Sequence, residues 1–326
     1  MRYSLAHQTM LGTRQENQDR LVCAERGHSV LMVVADGLGG YAGGGLAAQT
    51  VVDTFTAAFE NIHQTTIDEP AAFLVLTIAH GHAMVRRRAR KHGLEAGQPK
   101  TTCVACLVQD GYAYWGHVGD SRLYLFRDGR CLARTQDHST AQAAHAKGMI
   151  NEHELRTTNA QLLRCIGANQ RPEVALGAET LLRNGDSIIL CTDGVWRSLT
   201  DDQLAEYASS EKLDEAVVDL LIHAERDSHP ECDNISAVMF RWEDTLTTRA
   251  PRYACRIPDI DQSRIWKQRP RKGGASTSKK PDGQTQRPLR STRRRSAVRG
   301  DSIESSIKEI ETFIDAIDDH LPSRRS

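Results

Sequence analysis

Residues 30–40 read VLMVVADGLGG, six apolar residues running into Asp36 and then a glycine-rich turn. A short, unbroken apolar run bounded by turn residues fits a buried strand. The carboxylate of Asp36 then emerges at the strand's tip, where Gly37, Gly39 and Gly40 allow close backbone approach. Residues 188–195, IILCTDGV, repeat the pattern, with Asp193 at the tip and Gly194 where the chain must turn sharply. Asp120 stands in HVGDSRLY (117–124) between two strand candidates, and Asp233 begins the strand of CDNISAVMF (232–240) after a polar loop. One such aspartate is ordinarily a turn residue. Four carboxylates at adjacent strand ends would repel one another and shift toward protonation unless a cation neutralised them, so the set points to a divalent metal. Oxygen ligands select Mg2+ or Mn2+ over zinc.

Outward from these runs, strand-length apolar segments alternate with stretches of helical periodicity as far as about Glu243. Strands are expected at Ser29–Ala35, Thr102–Gln109, Ala113–Val118, Leu123–Arg127, Ser187–Cys191 and Ile235–Trp242. Gln109-Asp110-Gly111 and Arg127-Asp128-Gly129 are polar, glycine-containing joins between β-rich runs, the mark of antiparallel hairpins. Helices are expected at Gly44–Asn61, Ala71–Lys91, Thr140–Lys147, Asp202–Ala208 and Leu213–Asp227. Antiparallel strands with a few long helices argue for helices packed outside one or two sheets, against a doubly wound parallel sheet.

The composition, 39% apolar and 26% charged, suits a globular protein, and no apolar run is long enough to span a bilayer. The first ten residues, MRYSLAHQTM, lack the basic and apolar segments of a secretory signal, so the expected location is the cytoplasm. The eight cysteines are dispersed and mostly lie among apolar residues, which fits reduced thiols. The one CxxC, Cys103 to Cys106, has an odd spacing that sends its side chains to opposite faces of a strand.

The formal net charge of zero conceals three segments. Residues 1–251 hold 24 Lys and Arg against 32 Asp and Glu, residues 252–300 hold 15 against 3, and the last 26 hold 3 against 7. Three regions are expected: a catalytic domain over 1–243, a disordered basic linker over 244–300, and an acidic amphipathic helix with its tail over 301–326. The linker reads as a solvated spacer in preference to a nucleic-acid or anionic-membrane contact, because it has few aromatics to stack on bases. The helix, with Ile303, Ile307, Ile310, Ile314, Ile317 and Leu321 on one face, offers a surface to a partner helix, to the linker or to a copy of itself.

The ordered segments resemble the motifs of the metal-dependent type 2C serine/threonine protein phosphatases in their bacterial form. The resemblance covers about Met1 to Trp242. It rests on Arg14-Gln15-Glu16-Asn17-Gln18-Asp19, Ala35-Asp36-Gly37-Leu38-Gly39-Gly40, Thr101-Thr102, Gly119-Asp120-Ser121-Arg122, Asp137-His138-Ser139, Cys191-Thr192-Asp193-Gly194-Val195 and Asp233-Asn234-Ile235-Ser236. It implies an antiparallel β-sandwich flanked by helices on both outer faces, an α+β fold. It also implies hydrolysis of phosphoserine and phosphothreonine by a water activated between two Mn2+ or Mg2+ ions, reversing a cognate serine/threonine kinase. In that pattern Asp36 bridges the ions, the Gly37 carbonyl serves the first, and Asp193 and Asp233 hold the second. Asp19 accepts hydrogen bonds from the activated water, Asp120 serves a third, loosely bound ion, and Arg14 grips the substrate phosphate with a two-pronged guanidinium.

Three positions depart from the family pattern. Leu38 stands where many members carry a histidine proposed to protonate the leaving alcohol. Gln18 replaces a glutamate, and Ala146 stands where some members add a carboxylate in a flap that should span 138–164. His138 reads as a structural hydrogen-bonding group. The competing function is a catalytically weak or silent phosphoprotein-binding scaffold recruited through the C-terminal tail.

Overall fold

The computed structural model describes residues 1–38, 43–62, 64–95 and 97–244. Apart from Asp244, the expected basic linker and acidic helix lie outside the described residues. Two antiparallel sheets form the centre. The first orders β1 (Tyr3–Met10), β13 (Ile235–Trp242), β12 (Ser187–Cys191), β8 (Arg122–Arg127) and β9 (Arg130–Arg134). The second orders β10 (Ala175–Leu176), β7 (Tyr112–Val118), β6 (Cys103–Gln109), β3 (Ser29–Ala35) and β2 (Arg20–Arg26), with β11 (Thr180–Leu181) also on β7. A minor pair joins β4 (Gly37–Leu38) to β5 (Lys100–Thr101).

Alternation along the strands divides their side chains between two layers of core. Val30, Met32 and Val34 of β3, with Val104, Cys106 and Val108 of β6, meet Leu123, Leu125, Ile188, Leu190, Val238 and Phe240 of the facing sheet. Tyr124, Phe126, Ile189, Ala237 and Met239 point the other way. They pack on α5 (Asp193–Trp196), α6 (Asp201–Ala208) and α7 (Leu213–Ser228). On the opposite outside, α1 (Gly44–Glu60) and α2 (Pro70–Lys91) cover the second sheet. Each central strand is thus covered on both faces, which is why it reads as an unbroken apolar run. This is the expected α+β sandwich.

Both expected hairpins form. Asp110 and Gly111 carry φ of 50° and 81°, and Asp128 and Gly129 carry 52° and 71°. Positive φ at both central residues is the type I′ geometry that matches the twist of paired strands. The remaining helices, α3 (Thr140–Ala146) and α4 (Glu152–Thr157), lie in the 138–164 segment. Arg134 reaches Glu152 at 2.6 Å and Asp201 at 3.1 Å, which anchors α4 to α6.

Candidate active site

Asp36 follows the last residue of β3, and its backbone is fixed from β5 and the residue beyond it. Its N–H donates to Thr102 Oγ1 at 3.0 Å, and its carbonyl accepts from Thr102 N at 2.9 Å and Thr101 Oγ1 at 2.8 Å. The Thr101-Thr102 motif therefore acts by holding the aspartate's main chain. Thr102 Oγ1 in turn shares a hydrogen bond of 2.6 Å with Ser121 Oγ, beside Asp120. Asp120 lies between β7 and β8, 6% exposed, with its carbonyl accepting from Trp196 Nε1 at 2.8 Å.

On the other sheet, Asp193 opens α5 directly after Thr192. Gly194 is not the sharp turn expected from sequence, because it sits inside this short helix. Its role is close packing: a Cβ there would meet the Asn234 carbonyl at 2.3 Å. Asp193 Oδ2 accepts from Arg197 Nε at 2.9 Å. Asp233 lies two residues before β13, where its Oδ1 accepts from Asn234 N at 2.8 Å and its Oδ2 from Arg14 Nη2 at 2.8 Å.

The loop that carries Arg14 and Asp19 is stapled to this corner. Thr13 Oγ1 donates to Cys232 O at 2.9 Å, and Asn234 Oδ1 accepts from Gln18 N at 2.9 Å while its Nδ2 donates to Leu11 O and Glu16 O. Asp19 is 3% exposed, and its Oδ2 accepts from Thr192 Oγ1 at 2.9 Å. Thr192, Asn234 and Arg197 are the residues whose roles the sequence does not announce. Thr192 and Asn234 act through partners far away in the chain, whereas Arg197 reaches Asp193 at an i,i+4 spacing that marks a pair only once the short helix is known.

The electrostatics unite the set. Burial raises the Asp19 carboxyl to about 7, with Asp193 and Asp233 adding repulsion. Burial likewise raises Asp120 to about 8, aided by Asp193 and Asp137. Asp36 is held well above the usual carboxylate range by burial and then by Asp19, Asp193, Asp120 and Asp233. Asp193 is also raised by burial, against the pull of Arg197. Asp19, Asp36, Asp120, Asp193 and Asp233 are therefore electrostatic neighbours, and Arg14 feels Asp233, Asp193 and Asp36 together.

A hard divalent cation fits this donor set. Asp120 Oδ1 and Asp193 Oδ1 are buried without a hydrogen-bond partner among the described residues, an expensive state that a cation would relieve. The expected cage is nevertheless more open than the sequence implies. Among the described residues no three Asp, Glu, His or Cys side chains close on one point. The fit is to ions that keep water and main-chain carbonyls among their ligands, as Mg2+ characteristically does.

His138 behaves as a structural group. Its Nδ1 accepts from Gly119 N at 3.2 Å, its ring stacks on His117 at 4.7 Å, and burial pushes its pKa down to about 3. Leu38 is half-buried in β4 and has no proton to give.

Comparison with known proteins agrees with this geometry. The family model for protein phosphatase 2C matches residues 9–229. The serine/threonine protein phosphatase PstP of Mycobacterium tuberculosis is 28% identical over 233 residues, which cover 69% of this chain and 42% of PstP. The matched part thus spans less than half of that relative. Among solved structures, PppA of Pseudomonas aeruginosa superposes with a TM-score of 0.60 at 29% identity, covering 73% of this chain and 97% of PppA. The catalytic domain of PstP, solved in complex with two manganese ions, superposes with a TM-score of 0.64 at 25% identity, covering 74% and 99%. The match over most of the folded residues, together with the two-sheet sandwich and its acidic corner, means that this chain belongs to the protein phosphatase 2C family.

Proposed function

We propose that this chain is a metal-dependent protein phosphatase that hydrolyses phosphoserine and phosphothreonine, with residues 1–243 as its catalytic domain. The observation that carries this reading is the gathering of five carboxylates from both sheets, two of them with a buried oxygen that has no hydrogen-bond partner among the described residues. In this reading Asp36 and the Gly37 carbonyl hold one Mn2+ or Mg2+, Asp36, Asp193 and Asp233 hold a second, and Asp120 contributes to a third, looser position. When bound, such ions lower the pKa of water and so supply a hydroxide near neutral pH.

The chain's own groups do the rest. Asp19, buried beside Asp193 and Asp233, is suited to accept a hydrogen bond from the attacking water. Thr192 and Ser236 both hydrogen-bond this carboxylate and fix its direction. Arg14 is 58% exposed, so its fork can turn to the phosphate and bind two oxygens, orienting phosphorus and offsetting charge on the equatorial oxygens. With leucine at position 38, the departing serine or threonine alkoxide takes its proton from water.

Phosphoproteins are the substrates of this reading, and an opposing serine/threonine kinase is its counterpart. No helix among the described residues is long and apolar enough to cross a membrane, which is compatible with action on cytoplasmic proteins. The test is hydrolysis of an aryl phosphate and of phosphothreonine peptides by the full chain with Mn2+ or with EDTA. A metal-dependent rate that Asp36→Asn and Asp193→Asn abolish supports the phosphatase. No metal-dependent rate in the parent chain would favour the silent scaffold.

A further inference from the structure

The two aspartates read as holding the second ion are each already held by a guanidinium. Arg197 Nε meets Asp193 Oδ2 at 2.9 Å, and Arg14 Nη2 meets Asp233 Oδ2 at 2.8 Å. Among the described residues, Asp36 and Asp120 accept no arginine hydrogen bond. The acidic corner is therefore partly neutralised from within, and its arginine hydrogen bonds fall on Asp193 and Asp233, although Arg14 and Arg197 also act at longer range on Asp36 and Asp120, respectively.

Arg197 is no loose surface cation. It sits four residues after Asp193, at the C-terminal end of α5. Its Nη1 donates to Thr158 O, just past α4, at 3.3 Å, and its guanidinium lies 5.1 Å from the Trp196 ring. That indole is fixed in turn by Arg122, 3.5 Å from its centroid, and by its hydrogen bond to Asp120 O. Arg197 is thus held where it faces Asp193, one of whose oxygens it takes while the other has no hydrogen-bond partner among the described residues.

We propose that Arg197 is a positioning residue that serves as the resident counter-cation of Asp193 and lowers affinity at the second ion position, so that the two positions fill in order. This inference rests on the two-ion reading of the site. A divalent ion arriving at Asp193 meets a positive charge already hydrogen-bonded there and must share or displace it. An ion arriving at Asp36 meets no such competitor. A purely structural Arg197 predicts the reverse outcome on removal, because losing it would misplace Asp193 and weaken metal binding.

The experiment is calorimetric titration of the full chain with MnCl2 alone, without substrate. Arg197→Gln is expected to tighten the second, weaker binding event about fivefold, the scale of one partly exposed ion pair, and to leave the first unchanged. Arg197→Lys, which keeps the charge, is expected to bind like the parent. A second event that is unchanged or weaker in Arg197→Gln overturns the proposal, as does equal tightening in Arg197→Lys. If circular dichroism shows Arg197→Gln unfolded, Arg14→Gln reads the same competition at Asp233, and no tightening there overturns the idea. Asp193→Asn separates the two levels. Loss of the second event upholds the two-ion reading, whereas parent-like binding of both ions overturns that reading itself.

Discussion

Buried charge is handled in two opposite ways within about twenty residues of sequence. Arg122 and Asp137, 1% and 2% exposed, form a forked pair in which Nε and Nη2 reach the two carboxylate oxygens at 2.8 Å and 2.7 Å. Asp120, two residues before Arg122 and nearly as buried, has one oxygen with no hydrogen-bond partner among the described residues. The first arrangement is complete within the chain and contributes to holding the fold. The second is incomplete within the chain, a state that persists in a folded protein where an external ligand is meant to finish it. The same contrast separates Asp137 from Asp193, whose Oδ1 is buried without a hydrogen-bond partner among the described residues.

Four substitutions or conditions test that contrast. The largest effect is expected from Asp137→Asn, which leaves the Arg122 charge buried without its counter-ion. Unfolding free energy should fall by about 3–5 kcal/mol in urea titrations, whether or not metal is present. Asp36→Asn should act in the opposite sense on stability. It removes a repelled, unpaired carboxylate, so the metal-free protein should melt a few degrees higher, while Mn2+-dependent hydrolysis drops roughly a hundredfold or more. A melt that falls in EDTA would show that Asp36 is not strained by its neighbours.

The pH dependence is of comparable size. Asp19 and Asp120 have folded-state values raised to about 7 and about 8 from 3.8. Their protons stabilise the metal-free fold below the unfolded value, and that contribution is lost as pH rises through 7 to 8. Metal-free stability should therefore fall by several kcal/mol, on the order of 5, between pH 5 and pH 8. Saturating Mn2+ should flatten the slope, because the ions take over from the protons. A flat metal-free profile would break the comparison. The smallest effect is expected from Arg14→Lys, which keeps the charge and loses the fork. We expect kcat/KM to drop about tenfold, with melting unchanged.

The central strands were legible because both of their faces are covered. Ser29–Ala35, Ser187–Cys191 and Ile235–Trp242 occur with the bounds that their apolar runs imply. Strands β1, β2 and β9 were not anticipated. HQT within β1 and most of β9 are exposed, so neither a continuous apolar run nor clean alternation marks them. Helices α4 and α5, of six and four residues, are too short for helical periodicity to register.

At the site, glycine and threonine motifs next to strand-end aspartates were enough to nominate Asp36, Asp120, Asp193 and Asp233, and the fold brings them into electrostatic contact. What the sequence could not convey is which of them find a partner at home. Arg14 and Asp233 are separated by 219 positions, and a pairing across that span has no local signature.

Strand β13 lies between β1 and β12, pairing with both, and is the last strand among the described residues. Without it, β1 keeps its packing on α7 but has no strand to pair with, and the Arg14 loop is gripped by the Cys232–Asn234 segment that leads into it. A chain cut short before Ile235 would lack the strand that joins β1 to β12 in the first sheet.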